Sequence, residues 1–243
     1  MFLLKKKNKS NKDYKILVNK NGSTNERLEG YNRLKDNVLY IMDGGKNKVL
    51  MIESSVESEC KTTVACNLAV LLGQTDKKVL IIDLDFHRTN IHRVMNVDNE
   101  TGIAEYMLEQ KEINEVIKHT EYKNVDVLPR GGKIYNPSLV LISDRFKALM
   151  EQLRDTYDLI VVDSAPVLQS SDFIHVSKYV DATIFLVMYG KTKKAQVRDA
   201  ISELRKNKVN IIGTVFTCYD SKSSGTRSYY YRRYYKPTEP KSE

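Results

Sequence analysis

The sequence predicts a three-layer α/β domain built on a mainly parallel β-sheet. Three observations carry that prediction. Six short runs rich in Val, Ile and Leu recur along the chain, and stretches of helical periodicity separate them. The runs are apolar throughout rather than alternating, as strands covered on both faces must be. Several end in polar residues, and in parallel sheets the carboxyl ends of the strands are where ligands gather.

The first helical pattern covers residues 24–41, with Leu28, Tyr31, Leu34, Val38 and Ile41 at steps of three and four, and Asp43-Gly44-Gly45 ends it. VLMI (49–52) is a strand, 61–73 a helix and VLIID (79–83) a second strand. Residues 101–118 read as one or two helices, followed by a third strand, VDVL (125–128). Pro137 opens a helix to about Arg154, with Leu139, Ile142, Phe146, Leu149 and Leu153 on one face. LIVVD (159–163) is the fourth strand, 171–179 a helix, ATIFLVM (182–188) the fifth strand, 193–207 a helix and IIGTVF (211–216) the sixth strand.

A chain of 243 residues suits one domain, two at most, and a 41% hydrophobic content supplies a full core. The net charge of +8 is concentrated at the ends. Residues 1–20 hold seven lysines against one aspartate, and residues 221–243 hold six Lys or Arg against two glutamates, so the body between is nearly neutral. That distribution argues against a nucleic-acid-binding face on the folded body and favours tails that meet anionic surfaces or partners. Three cysteines are too few for a disulfide framework or a zinc site and fit a reducing compartment. No apolar run approaches the roughly 18–20 residues that span a bilayer. The N-terminal MFLLKKKNKSNK does not fit a secretory signal.

The first strand leads into ESSVESECKTTVACNLA (53–69), a strand, a short polar loop, then Lys-Thr-Thr opening a helix. That is the layout of a phosphate-binding loop, in which amides and the helix N-terminus face an anion, Lys61 reaches the terminal phosphates and Thr62 offers a hydroxyl to Mg²⁺. An ordinary helix start has the same appearance, and Ser55 and Cys60 stand where the loop pattern has glycines. The second strand ends in IIDLDFHR (81–88), carrying Asp83 and Asp85, and the fourth in LIVVDSAP (159–166), carrying Asp163. An acid at such a strand end can hold Mg²⁺ or its water shell, or can cap the next helix. Capping explains one such acid more easily than two strands of them following a Lys-Thr-Thr loop. Near the C-terminus, Tyr229, Tyr230, Tyr231, Tyr234 and Tyr235 fall within seven residues, with Arg232 and Arg233 between them. Aromatics there do not read as core; alone, the cluster also suits nucleic-acid bases or lipid headgroups.

These parts together closely resemble the bacterial tyrosine kinase (BY-kinase) family that regulates capsular and exopolysaccharide synthesis, within the MinD/ParA-type P-loop ATPases. The resemblance covers roughly residues 25–235: the KTT loop, IIDLDFHR, YDLIVVDSAP, GGKIYNPSLVL and the tyrosine cluster. It implies a P-loop NTPase-like fold binding ATP and Mg²⁺. The nucleotide would be held by Ser58, Glu59, Cys60, Lys61, Thr62, Thr63 and Thr217. Lys61, Asp83 and Asp85 would be catalytic, with Asp83 as base or water and metal organiser. Thr62, Asp83 and Asp163 would hold the metal, and Asp85 would complete its surroundings. The phosphoacceptors would be Tyr229, Tyr230, Tyr231, Tyr234 and Tyr235 of a neighbouring subunit. A membrane-embedded polysaccharide chain-length adaptor, a homo-oligomer and a cytoplasmic location at the inner face of the membrane follow by the same resemblance, with no nucleic-acid partner.

Some positions depart from the family pattern. Its loop reads approximately PGEGK[ST]; here Glu57-Ser58-Glu59-Cys60-Lys61-Thr62 lacks both glycines and puts an acid at the proline position. A side chain in a left-handed conformation costs about 1–2 kcal/mol, and Cys60 and Glu57 are expected to crowd and repel phosphate. The ExxRxxR helix implicated in ring assembly appears as Glu29, Asn32 and Lys35, and Ala165-Pro166 replaces Pro-Pro. Thr217 stands where the family commonly has asparagine near adenine. Two functions therefore compete: a working autokinase, and a weakly active or inactive module that binds the adaptor. A MinD/ParA-type positioning ATPase is a more distant third, disfavoured by the tyrosine tail.

The expected division is a flexible basic segment over 1–22, the kinase domain over 23–220 and a disordered tyrosine-rich tail over 221–243. His87, His92, His119 and His175 have no metal-ligand spacing. Arg88 reads equally as a phosphate or subunit contact and as a solvated helix-start residue; Cys60 reads first as an inert thiol, with oxidation beside the lysine and helix N-terminus the minor alternative.

Overall fold

The structure, a computed structural model, describes residues 25–42 and 48–218. The basic N-terminal segment, the Asp43-Gly44-Gly45 helix stop and the tyrosine cluster lie outside the described residues. Seven strands form one sheet: β1 (Val49–Ser54), β2 (Val79–Leu84), β3 (Lys118–His119), β4 (Val125–Leu128), β5 (Leu159–Ser164), β6 (Ala182–Met188) and β7 (Ile211–Thr217). Their spatial order is β3-β4-β2-β5-β1-β6-β7. Every pairing is parallel except that of the two-residue β3 with β4.

β1, β2 and β5 are central because their residues leave no face for water, whereas β7, at the edge of the sheet, is largely open and corrects the expectation that every strand is covered on both faces. Each position of β1, β2 and β5 is buried. Alternate side chains of β1 enter different layers. Leu50 and Ile52 pack with α1 (Asn25–Met42) and α2 (Lys61–Gly73) through Val38, Met42, Leu68 and Leu72. Val49 and Met51 face the opposite layer with Leu149 and Leu153. At about 25 cal/mol per Å² of apolar area removed from water, this two-sided burial is the main force holding the sheet. The three-layer expectation therefore holds.

The helices are more broken than the periodicity predicts. Residues 101–118 comprise α4 (Ile103–Met107), α5 (Ile113–Val116) and β3, while α3 (Ile91–Met95) has no counterpart in the sequence reading. The expected helix from Pro137 to Arg154 divides into α6 (Pro137–Leu141) and α7 (Asp144–Thr156). Ser143 is the reason: its backbone is extended and its hydroxyl accepts the Phe146 N–H at 3.2 Å, an N-cap that starts a new helix. Phe146, Leu149 and Leu153 stay in the core, but Leu139 and Ile142 are exposed, which corrects the single apolar face. Residues 171–179 are α8 (Asp172–Val176) followed by a 3₁₀ turn, and α9 (Lys194–Lys206) covers the last pair of strands. No helix among the described residues is long and apolar enough to cross a membrane.

The strand order positions the site. β5 lies between β1 and β2, so Asp163 stands beside Ile52 on one side and Asp83 on the other. Three segments scattered over more than a hundred residues thereby end at one edge of the sheet.

Candidate nucleotide site

The loop after β1 keeps a tight curve without glycine. Ser58 (φ 64°) and Cys60 (φ 71°, ψ 21°) are both left-handed, at the two positions where the family pattern has glycine. Tethers hold that curve. The Glu59 carboxylate, 1% exposed, turns inward and accepts the N–H groups of Val56 (2.8 Å) and Met188 (3.3 Å) and the Thr192 hydroxyl. The Thr217 hydroxyl donates to the Glu59 carbonyl at 3.1 Å. Val167 and Leu168, following β5, donate their N–H groups to the carbonyls of Ser54 (3.0 Å) and Ser55 (3.1 Å). Side-chain and strand contacts thus impose what glycine would permit.

Cys60 is the N-cap of α2 and gives it no side-chain cap. The first N–H groups of a helix have no acceptor within it, so this end suits an anion. Lys61, 8% exposed, opens α2, and its charge opposes the burial that raises the carboxyls of Glu53, Asp163 and Asp85. Thr62 Oγ1 donates to Asp163 Oδ2 at 2.6 Å, while Asp163 Oδ1 is buried without a hydrogen-bond partner.

Asp83 is fixed by four donors. Its Oδ2 accepts from the Thr89 hydroxyl (2.6 Å) and the N–H groups of Asn90 (3.2 Å) and Ile91 (3.4 Å); its Oδ1 accepts from the Asp85 N–H (3.2 Å). Burial, and then the charge of Asp163, push the Asp83 carboxyl up to about 7. Burial likewise raises Asp163 to about 6 against the opposing effects of Lys61 and Thr62. Asp85 is also raised, first by burial, although it accepts the N–H groups of Arg88 (2.8 Å) and His87 (3.2 Å).

Lys61, Thr62, Asp83, Asp85 and Asp163 therefore converge as the sequence predicts. Ser58 and Cys60 contribute backbone at the loop, while the Glu59 side chain turns into the protein. Thr63 lies in the first turn of α2 and its carbonyl accepts the Asn67 amide at 2.8 Å. The Thr217 hydroxyl is committed to the loop backbone. Glu57, expected to repel phosphate, is paired with Arg88 across the mouth of the site. Among the described residues no cluster of three or more His, Cys, Asp or Glu could hold a metal. Mg²⁺ is bound by one or two protein groups together with phosphate and water. The orphaned Asp163 Oδ1 beside the Thr62 hydroxyl provides such groups.

Sequence reading missed Glu53. Fully buried at the end of β1, it accepts the Ser164 hydroxyl and the Ser54 N–H (3.1 Å), and burial pushes it up to about 7. An acid inside the apolar strand that precedes the loop was the available signal. Thr89 and Thr192 gave none, because their partners are remote in sequence or set by a turn.

A family model described as an AAA domain matches residues 48–212. The kinase domain of the Escherichia coli tyrosine kinase ETK superposes with a TM-score of 0.79 at 32% identity, over 86% of this chain and 82% of that one. The chain belongs to the bacterial tyrosine kinase family. Tyrosine-protein kinase ptk of Acinetobacter johnsonii is 30% identical over 92% of this chain, and YwqD of Bacillus subtilis is 29% identical over 77%. The chain spans only 30% of the length of the Acinetobacter relative, against 79% of YwqD.

The P-loop fold is a nucleotide-binding one, and this chain has that fold. Its departures are local. On α1, Glu29 pairs with Arg33 and Lys35 with Asp36 at 3.0 Å, so both charged members of the altered ExxRxxR pattern have partners in their own helix.

Proposed function

We propose that the chain is an ATP-dependent protein-tyrosine autokinase acting in capsular or exopolysaccharide synthesis. The observation that carries this reading is the meeting of Lys61 and Thr62 with Asp83, Asp85 and Asp163 at the ends of three adjacent strands. Lys61 and the first amides of α2 bind the phosphates. Thr62 and Asp163, with Asp83 and Asp85 around them, would hold Mg²⁺, which would supply positive charge beside the phosphates. Asp83 takes the proton of the incoming tyrosine hydroxyl as that oxygen attacks the γ-phosphorus, the bond from the γ-phosphorus to the bridging oxygen breaks, and ADP leaves with the electron pair. A carboxyl raised to about 7 is matched to that role near neutrality. The acceptors are Tyr229, Tyr230, Tyr231, Tyr234 and Tyr235 of a second copy, and phosphorylation turns a basic segment acidic. The partner is a membrane-embedded adaptor, which keeps the kinase at the inner face of the cell membrane.

One observation favours a second reading, an adaptor-binding module with little turnover. The left-handed Ser58 and Cys60 bring side chains to the phosphate path, where glycine would bring none. Incubation with Mg-ATP, with and without an adaptor's cytoplasmic segment, separates the two by phosphotyrosine blot. The autokinase reading requires signal that is lost in Asp83→Ala and Lys61→Ala. No signal under either condition leaves the regulatory module.

A further inference from the structure

We infer that Cys60 and Cys218 are an oxidisable pair whose disulfide weakens nucleotide binding by tying the phosphate loop to the end of β7. The effect on binding rests on the nucleotide-site reading above. The pairing itself does not.

The two sulfurs are 3.7 Å apart although 158 residues separate them in sequence. The approach is built from the backbone. Thr217, just before Cys218, donates to the carbonyl of Glu59, just before Cys60, at 3.1 Å. The Thr217 carbonyl in turn accepts the Tyr189 N–H at 3.0 Å, anchoring the end of β7 to the end of β6. Both cysteines have left-handed backbones, φ 71° and 55°. Cys218 is exposed and Cys60 partly exposed, so a small oxidant reaches them. The third cysteine differs in every respect: Cys66 is fully buried in α2, and burial raises its thiol well above the ordinary range.

The oxidant is a peroxide. The Cys218 thiolate attacks one peroxide oxygen, the O–O bond breaks and hydroxide leaves, giving a sulfenic acid. The Cys60 sulfur then attacks Cys218 Sγ, the S–O bond breaks, and the departing hydroxide takes the Cys60 proton as water. Overall, two thiols and one hydrogen peroxide give one disulfide and two waters, with two electrons passing from sulfur to oxygen. A dithiol reverses the change by exchange.

Bond formation requires the sulfurs to close by roughly 1.7 Å, to the S–S length of about 2.05 Å. Cys60 immediately precedes Lys61, so that pull acts where the first amides of α2 and the lysine must meet phosphate. It also fixes the segment after β7 against the loop.

The test compares reduced and hydrogen-peroxide-treated full chain. Peptide mapping under non-reducing conditions reads the linkage, and calorimetry reads Mg-ATP affinity. We expect a Cys60–Cys218 peptide, affinity at least about tenfold weaker (about 1.4 kcal/mol), and recovery with dithiothreitol. Cys218→Ser should bind like the reduced protein and ignore peroxide. No such linkage in the folded chain overturns the pair. A linkage that leaves affinity unchanged overturns its control of binding. If the reduced chain binds no nucleotide, the nucleotide-site reading falls and the control falls with it, while the peptide map still decides the pair.

Discussion

Asp83 and Asp163 stand directly opposite one another, paired in register across β2 and β5, and both are buried. Burial is the main reason each is raised towards neutrality; the charge of Asp163 pushes Asp83 further, and that of Asp85 pushes Asp163. Such a pair needs a cation. Lys61 supplies one, and the free Asp163 Oδ1 beside Thr62 leaves a place for another.

Asp163→Asn should therefore abolish the dependence of nucleotide affinity on Mg²⁺. Calorimetry of ATP with and without the metal should show a gap for the wild type and none for the variant. The loss should reach at least about tenfold in affinity, or about 1.4 kcal/mol. The same change removes a negative neighbour from Asp83, so the Asp83 carboxyl should titrate lower. NMR titration of its carboxyl carbon checks that shift.

Ser58→Gly and Cys60→Gly should tighten nucleotide binding without destabilising the fold. A non-glycine residue in a left-handed conformation costs about 1–2 kcal/mol, and glycine returns about 0.5–1 kcal/mol of that as unfolded-chain entropy. The melting temperature should stay level or rise slightly in each variant, and affinity should rise most with both. Unchanged affinity would place phosphate elsewhere.

How much of this was legible in the sequence follows from where the determining contacts lie. Asp83 and Asp163 were visible because an acid ending a wholly apolar strand is a local pattern, and strand order does the rest. Ser143 was visible as a residue but not as a cap, because the apolar steps of three and four ran through it. Glu59 read as one more acid of a polar loop. Its inward turn depends on Met188 and Thr192, more than a hundred residues away, and no local pattern records that. The nearness of Cys218 to Cys60 was hidden for the same reason.

Glu59→Ala should loosen the loop and lower global stability. It leaves the Val56 N–H and the Thr192 hydroxyl without their acceptor, while the Met188 N–H keeps the Thr192 oxygen at 3.1 Å, at a cost of about 1–3 kcal/mol for a buried group left unpaired. Urea denaturation should show the loss, and nucleotide affinity should fall with it. Glu59→Gln keeps an acceptor oxygen and should recover much of the stability. Equal losses in both variants would mean that the charge, rather than the tethers, holds the curve.

Glu53 makes the stability of the nucleotide-free chain depend on pH. Its carboxyl lies at about 7 when folded, chiefly through burial, against about 4 when unfolded. Between those values the folded chain keeps a proton that the unfolded chain has released, so stability falls as pH rises. The contribution is whole below about pH 4 and is lost as pH passes through 7, at up to about 1.4 kcal/mol per pH unit. Melting temperatures measured from pH 5 to 7.5 should decline accordingly. Glu53→Gln keeps an oxygen for the Ser164 hydroxyl but cannot ionise, so the decline should shrink. It should not vanish, because Asp83 and Asp163 are raised for the same reason and contribute with the same sign. An unchanged slope in the variant would show that Glu53 is not the buried acid that titrates.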